Sequence, residues 1–101
     1  MDVVHVLQEV EFIWDASKAL LNRSRHGVAF ETACEVFFDP FVQTTEPEAR
    51  GGDYRQKATG FTASWKLLVV AFTFRNDQIR IISAREATPL QRRRHEDQQA
   101  T

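Results

Sequence analysis

Apolar and polar positions first show a regular period near residue 10. The apolar side chains of Val10, Phe12 and Trp14 fall at every second position, which is the period of a short strand. Residues 1–9 show no convincing pattern, so we expect this segment to fray. The pattern therefore predicts that regular structure begins with the strand at Val10.

Two helices are predicted after this strand. Asp15 is a good N-cap for the first, because its carboxylate can accept hydrogen bonds from the free amides of the opening turn. Gly27 sits where a left-handed C-cap residue is expected. The second helix covers residues 30–38 and ends before Pro40, which cannot continue the backbone ladder. Its apolar positions form one buried stripe with helical spacing: Phe30, Ala33, Cys34 and Phe37.

Beyond residue 40 the period changes to two. Four strands are predicted there, over residues 41–45, 54–60, 66–74 and 78–85. The third is apolar on both of its faces, which is typical of a central strand that is covered on both sides. Asn76 and Asp77 favour a tight turn, so the last two strands are predicted to form a hairpin.

The chain closes with a predicted helix that begins at a capping box. Thr88 at the N-cap and Gln91 at the third helical position can each bond the backbone amide of the other, and Pro89 fits the first helical position. Strands in the middle and helices on both sides of them indicate an α+β fold.

Composition narrows this to one small domain. A chain of 101 residues supports one hydrophobic core and is too short for two ordinary domains. We therefore expect a single domain over residues 1–101, with an ordered core over about 10–97. Cys34 is the sole cysteine, so no internal disulfide can form. No signal-peptide pattern opens the sequence, and the longest apolar run, 67–72, is far too short for a membrane span. The expectation is a soluble, cytoplasmic protein.

Charge is distributed unevenly along the chain. The net charge is −1, but residues 1–53 hold four Lys or Arg and ten Asp or Glu, whereas residues 54–101 hold nine and four. A basic second half can present a positive patch to a nucleic acid. The alternative is a scatter of solvated charges.

Metal and nucleotide chemistry have no motif in this sequence. His5, His26 and His95 are isolated, and no Cys/His pair has metal-ligand spacing. Gly51-Gly52 lacks the lysine and the strand-to-helix context of a phosphate loop. We expect neither a metal nor a cofactor.

Basic residues beside aromatic ones remain, and these suit RNA cleavage. A ribose 2′-OH can attack its own phosphate if one group takes its proton, a second stabilises the negative charge and a third protonates the leaving oxygen. Arginine suits the second role because its planar fork bonds two phosphate oxygens. Histidine can act as acid or base near neutrality.

The last predicted strand carries two arginines, Arg80 and Arg85. Strict alternation puts them on opposite faces, so they share one site only if a bulge or the end of the strand redirects one of them. The alternative is that each is a partly covered surface arginine. Three other residues have an equally plain structural role: His26 as a helix terminus, Trp14 as core and Lys18 as a solvated charge.

An ordered set of short motifs resembles the BrnT family of toxins over about residues 11–96. In the first half it comprises Phe12-Ile13-Trp14-Asp15, Lys18, Asn22, Arg25-His26-Gly27-Val28, Phe30, Ala33, Val36-Phe37 and Asp39-Pro40. In the second half it comprises Arg55, Gly60, Leu67-Leu68-Val69-Val70, Arg80-Ile81-Ile82-Ser83-Ala84-Arg85-Glu86-Ala87-Thr88 and Arg92-Arg93.

This resemblance implies a RelE-like fold: a small, mainly antiparallel sheet with two N-terminal helices and one C-terminal helix. It implies a type II toxin, a metal-independent endoribonuclease that cleaves mRNA and arrests translation. It also implies a BrnA-like antitoxin partner that neutralises the toxin and supplies the DNA binding, with the toxin dimeric in a toxin–antitoxin heterotetramer.

The resemblance also implies a set of site residues. The catalytic group comprises Arg80, Arg85, His26 and Lys18. The RNA-binding group comprises Trp14, Arg55, Arg93 and His95. In this assignment the two strand arginines stabilise the phosphate, His26 carries the proton and Trp14 stacks on a base.

The sequence departs from the family pattern at a few positions. Ile13 stands where an acidic residue is usual, Arg25 replaces a lysine, and His95 replaces an expected tyrosine, which could alter activity. A non-catalytic module that binds the antitoxin or RNA is the alternative function. Direct DNA binding through the last helix is disfavoured, because no helix-turn-helix or ribbon-helix-helix pattern surrounds it.

Overall fold

A seven-stranded sheet is the centre of the fold among residues 1–99, the part of the chain that the computed structural model describes. Its strands are β1 Asp2–Leu7, β2 Val10–Asp15, β3 Gln43–Thr44, β4 Glu48–Arg50, β5 Asp53–Phe61, β6 Leu67–Arg75 and β7 Gln78–Glu86. The helices are α1 Ala16–His26, α2 Phe30–Ala33 and α3 Pro89–Gln99, and a 3₁₀ segment, Cys34–Phe38, follows α2 directly. The last two residues of the predicted single domain lie outside the described residues.

The strands lie in the order β1-β2-β7-β6-β5-β3, and β4 also pairs with β5. Every pair is antiparallel except β2 with β7. Three two-residue turns, at 8–9, 51–52 and 76–77, connect the hairpins with positive φ at both positions, because that conformation matches the right-handed twist of the flanking strands. The predicted α+β fold, mainly antiparallel sheet and turn at Asn76-Asp77 are therefore confirmed.

The first strand corrects the expectation that residues 1–9 fray. β1 pairs along its whole length with β2, and Leu7 lies opposite Val10. The turn between them is formed by Gln8 and Glu9, at φ 49° and 68°. Residues other than glycine seldom adopt this conformation, so neither residue type signals a turn. As a result, α1 and α2 follow a β-hairpin rather than opening the chain.

Helix α1 begins and ends at the predicted residues. The Asp15 carboxylate accepts a hydrogen bond from the Lys18 amide at 3.0 Å, and this bond is the main reason why the pKa of Asp15 is lowered. Gly27 has φ 69° and donates its amide to the Arg23 carbonyl at 2.9 Å. Both caps follow from local sequence alone, and both predictions are confirmed.

The second predicted helix is α-helical only over its first turn. From Cys34 onward it winds as a 3₁₀ segment, which changes the side chain that faces the core. Val36 is fully buried, whereas Phe37, predicted for the stripe, is partly exposed. The backbone of Val36 lies against Gly60 of β5, where an added Cβ would come within 2.9 Å of the Val36 carbonyl oxygen. The 3₁₀ segment therefore lies close to β5 at a position where glycine leaves room for its backbone.

One side of the sheet, which we call the closed face, carries the hydrophobic core together with α2 and the 3₁₀ segment. The largest of its fully buried side chains are Phe12, Trp14, Phe30, Leu68, Ile81, Val36, Val70 and Cys34. Strand β6 is buried along its first seven residues apart from Ala71, which confirms the prediction of a central, covered strand. We call the opposite side of the sheet the open face.

The C-terminal helix begins at the predicted capping box. The Thr88 amide donates to Gln91 Oε1 at 2.9 Å, and the Gln91 amide donates to Thr88 Oγ1 at 3.2 Å. None of the helices within residues 1–99 is both long enough and apolar enough to cross a membrane.

Candidate functional site

Strand β7 contains one residue more than its neighbour β6 over the same length. Ile81 lies opposite Phe72, but Ser83 lies opposite Ala71, the next residue of β6. Ile82 therefore has no partner of its own and forms a β-bulge. Since side chains alternate between faces along a strand, this extra residue reverses the alternation for the rest of β7.

The bulge places Arg80 and Arg85 on the same face of the sheet. Arg80 lies opposite Thr73 and Arg85 lies opposite Val69, and these β6 residues are four positions apart, which puts them on one side. This is the redirection that the two arginines needed if they were to share a surface. The shared side is the open face.

Strand β5 adds cations to the open face. Arg55 lies opposite Thr73 and Lys57 opposite Ala71, so both point to the same side as Arg80 and Ser83. The central three strands of the sheet therefore carry a row of basic and hydroxyl side chains on the side away from the hydrophobic core.

Helix α1 borders this surface with one of its sides. Lys18, Leu21, Asn22, Arg25 and His26 are spaced at i, i+3, i+4, i+7 and i+8, which brings them to one side of a helix. All five line a cleft of about 270 Å³, and its sheet side is formed by Arg55, Ile82 and Ser83. The lining holds three permanent cations and no carboxylate.

A second, larger cleft of about 540 Å³ adjoins the first, because both share Arg55, Ile82 and Ser83. Its further lining includes Arg50, Lys57 and the two acidic residues Glu46 and Glu48. We call the two clefts together the cationic cleft. Its charge is most one-sided beside α1.

Asn22 holds α1 in place against β7. Its side-chain amide donates to the Ala84 carbonyl at 2.9 Å and the Val28 carbonyl at 3.0 Å, and its Oδ1 accepts from the Ala84 amide at 3.0 Å. Asn22 is buried, so these bonds are shielded from competition with water. They hold α1, which carries Lys18, against β7 at the edge of the cleft.

Arg55 has an unused hydrogen-bond donor. Its Nε is buried and, among the described residues, has no hydrogen-bond partner. A buried donor without an acceptor is costly, by roughly 1–3 kcal/mol. An anionic oxygen that enters the cleft would meet the positive charges of Lys18, Arg25 and Arg55 together.

The guanidinium groups of Arg80 and Arg85 turn away from each other, although both residues lie on the open face. Arg80 donates from Nη2 to Asp2 Oδ2 at 2.7 Å, and this bond is the main reason why the pKa of Asp2 is lowered. Arg85 donates to Gln91 Oε1 at 2.9 Å and to the Glu86 carbonyl at 3.2 Å. Neither lines the cationic cleft. They flank it at the two ends of β7.

Trp14 and His95 do not lie where the predicted RNA contacts would require. Trp14 is 2% exposed and packs edge-on against Phe30, so its ring cannot stack on a base. His95 is 1% exposed; its Nδ1 is 3.1 Å from Gln43 Oε1 and its ring packs on Phe61. Both predictions are corrected for the same reason: each ring is packed inside the protein, where it cannot contact RNA.

The remaining predicted residues divide between the cleft and its surroundings. Lys18, His26 and Arg55 line it, whereas Arg93 is exposed on α3 outside its lining. Sequence reasoning did not assign Lys57 and Ser83 to the site. Their signal was weak, since an exposed lysine and a strand serine are common in any sheet. Among residues 1–99, no group of three or more His, Cys, Asp or Glu side chains could hold a metal ion.

Two comparisons with known proteins bear on this arrangement. The family model described as "Ribonuclease toxin, BrnT, of type II toxin-antitoxin system" matches residues 14–90. Among solved structures, the ribonuclease toxin BrnT of Brucella abortus matches with a TM-score of 0.62 and 25% sequence identity, over 74% of this chain and 92% of that chain. No curated protein matches the sequence.

Proposed function

Because this chain belongs to the BrnT family of ribonuclease toxins of type II toxin–antitoxin systems, we propose that it cleaves mRNA as a metal-independent endoribonuclease in the cytoplasm and so arrests translation. The observation that carries the proposal is the cationic cleft, where Arg55 of the sheet lies with Lys18 and Arg25 of α1 in a lining without a carboxylate. Such a cleft suits an RNA phosphate better than a neutral or cationic ligand.

The proposed reaction is an internal transfer at phosphorus. The ribose 2′-oxygen attacks the adjacent phosphorus and loses its proton to a base, while the bond to the 5′-oxygen breaks and that oxygen takes up a proton. The products are a 2′,3′-cyclic phosphate and a 5′-hydroxyl. Negative charge accumulates on the phosphate oxygens in the transition state, which is where fixed cations contribute most.

Each cleft residue has a role in this scheme. Arg55 and Lys18 bind the scissile phosphate from opposite walls, and His26, exposed at the end of α1, carries the proton. Arg80 and Arg85 contact neighbouring phosphates of the strand from the two ends of β7. Their absence from the cleft lining favours this flanking role over a shared catalytic contact.

The partner in this proposal is a BrnA-like antitoxin. It covers the toxin, supplies the DNA-binding part of the complex and forms a heterotetramer that contains two toxin chains. The RelE-like relationship of the fold belongs to the same proposal. The α+β architecture with its mainly antiparallel sheet supports it.

The direct test is cleavage of a single-stranded RNA by the purified chain in excess EDTA. We expect products with 2′,3′-cyclic phosphate ends, and no cut where the scissile ribose is replaced by 2′-deoxyribose. Arg55→Ala removes a transition-state contact and is expected to lower the cleavage rate by on the order of 100-fold. Lys18→Ala is expected to lower the rate in the same direction.

Lys66→Ala is the matched control, since Lys66 is an exposed lysine paired with Glu86 away from the cleft. It should cleave RNA at the wild-type rate. RNA binding with no products from the wild-type chain would instead support the non-catalytic module. Equal cleavage by Arg55→Ala and wild type would remove the cationic cleft from the mechanism.

A further inference from the structure

The fork of Arg80 is occupied by a carboxylate of the same chain. Asp2 accepts from Arg80 Nη2 at 2.7 Å through Oδ2 and from Nη1 at 3.4 Å through Oδ1. Asp2 lies in β1, whereas Arg80 lies in β7, and β2 runs between them. The side chains therefore meet across β2, where Ile13 is the register partner of Arg80 and Asp15 that of Asp2.

A carboxylate in this position has the shape of a phosphate edge. Two oxygens on one centre meet the two parallel N–H groups of a guanidinium in both kinds of pair. While Asp2 holds the fork, a phosphate oxygen cannot take the same two donors. The pair lies on the open face, next to the surface where RNA is proposed to bind.

We propose that Asp2 is an internal competitor for Arg80, which an RNA phosphate must displace, and that it thereby sets the RNA affinity of the open face. This inference rests on the proposed function. It assigns Asp2 as a positioning residue, because Asp2 acts on the substrate only through Arg80.

The geometry makes the exchange feasible. The side chains of Arg80 and Asp2 are 39% and 47% exposed, and exposed ion pairs of this kind are weak and easily replaced. Asp15 lies opposite Asp2 in the β1–β2 register, but its carboxylate is paired with the Met1 ammonium at 3.4 Å, so it adds little repulsion when Arg80 leaves.

The test is a binding cycle with four full-length proteins: wild type, Asp2→Asn, Arg80→Ala and the double variant. The probe is a fluorescein-labelled single-stranded RNA with 2′-O-methyl riboses, which cannot be cleaved. We expect Asp2→Asn to lower Kd by roughly two- to fivefold. In the Arg80→Ala background the same change should have no effect.

A kinetic measurement complements the binding cycle. With a cleavable RNA, Asp2→Asn is expected to lower KM by the same factor and leave kcat unchanged, because the contact affects binding and not the reacting atoms. Glu96→Gln is the control for charge alone: Glu96 forms a similar exposed pair with Arg92 on α3, and its loss should leave Kd unchanged.

Three results would overturn the inference. Weaker binding by Asp2→Asn would mean that Asp2 holds Arg80 in a productive position or supports the fold. An equal gain in affinity with and without Arg80 would mean a general charge effect. Absence of RNA binding by all four proteins would overturn the proposed function itself, whereas binding that depends on Lys18 and Arg55 but not on Asp2 would overturn the competitor role alone.

Discussion

The two faces of the sheet are formed by the same strands, but different physical constraints determine which residues each face can hold. On the closed face, residues such as Phe12, Val70 and Ile81 are almost completely buried, and neighbouring apolar side chains determine what each position can hold. On the open face, Lys18, Arg55 and Lys57 lie around clefts, and the spacing of charges matters more than packing. Strand β7 contributes to both, and the bulge at Ile82 determines which residue goes where.

The stability of the fold therefore depends mainly on the closed face of the sheet, and the proposed activity depends mainly on the open face. Changes on the closed face should lower the free energy of unfolding, and any effect on RNA should follow from unfolding. Changes on the open face should alter RNA affinity or cleavage at nearly constant stability, since surface substitutions away from special contacts stay within about 0.5 kcal/mol. The following variants test whether stability and RNA activity depend on different faces of the sheet.

Insertion of one alanine between Ser83 and Ala84 should have the largest effect. With the bulge at Ile82 kept, this additional residue would turn Arg85 toward the closed face and Ala84 toward the open one, so both the core and the site would be disrupted. We expect the free energy of unfolding in urea to fall by more than about 4 kcal/mol. Ile82→Val keeps the residue count and should lose only about 1 kcal/mol. A folded, active insertion variant would show that the faces of Ala84 and Arg85 do not matter.

Asn22→Ala should follow in size, because Asn22 links the two regions. It removes three hydrogen bonds to Val28 and Ala84 and leaves buried backbone groups without partners. We expect a loss of roughly 2–4 kcal/mol in urea unfolding, together with weaker RNA cleavage as α1 moves. Leu20→Ala is the control on the same helix, since Leu20 is 73% exposed; a comparable loss there would contradict the explanation.

Gly60→Ala tests the closed face alone. The added methyl group would lie 2.9 Å from the Val36 carbonyl oxygen and 3.3 Å from Asp39 Oδ2, so the 3₁₀ segment must move. Overpacking of this kind costs about 1–3 kcal/mol, which thermal unfolding will detect. RNA affinity of the folded protein should be unchanged. Thr59→Ala, the neighbour on the open face, should leave stability almost unaltered. A larger loss of stability in Thr59→Ala than in Gly60→Ala would contradict the assignment of stability to the closed face.

Cys34 gives the closed face a pH dependence. Burial raises the pKa of its thiol from 9.0 to about 12, so the unfolded chain loses the proton before the folded one does. Stability from this group is complete below pH 9 and falls by about 1.4 kcal/mol for each pH unit above it, until the folded thiol ionises near pH 12.

The measurement is urea unfolding at pH 8 and pH 10 for wild type and Cys34→Ala. The variant also loses packing, so the comparison is between the two changes with pH and not between absolute stabilities. Wild type should lose about 1.4 kcal/mol more than the variant over this interval. Equal pH dependence of the two proteins would place the thiol in contact with water.

Local sequence was sufficient for most elements of this fold. The caps at Asp15 and Gly27 and the box at Thr88 each depend on groups within four residues of one another, so they could be predicted without the tertiary structure. β1 could not, because Gln8 and Glu9 adopt a turn conformation that their residue types disfavour. Pairing with β2 stabilises that turn, and pairing is not a local property.

The candidate site shows the same division. The sequence pointed to Lys18, His26 and Arg55, because the order of these basic residues along the chain resembles that of the family. It misassigned Trp14 and His95, because burial depends on what packs around a ring, and both rings lie inside the fold. It could not show that Asn22 connects α1 to β7, since the partners are 62 residues apart.

What the sequence determined by itself was the α+β class, the hairpin at Asn76-Asp77 and the presence of two arginines in the last strand, all of which follow from short-range periodicity and turn chemistry. Only the tertiary structure decided which face those arginines share. A bulge depends on the register between two strands, so one unpaired residue, Ile82, reverses an alternation that the sequence alone continues unbroken. The tertiary structure also decided where the two guanidinium groups point, because Asp2 and Gln91 reach them from opposite ends of the chain.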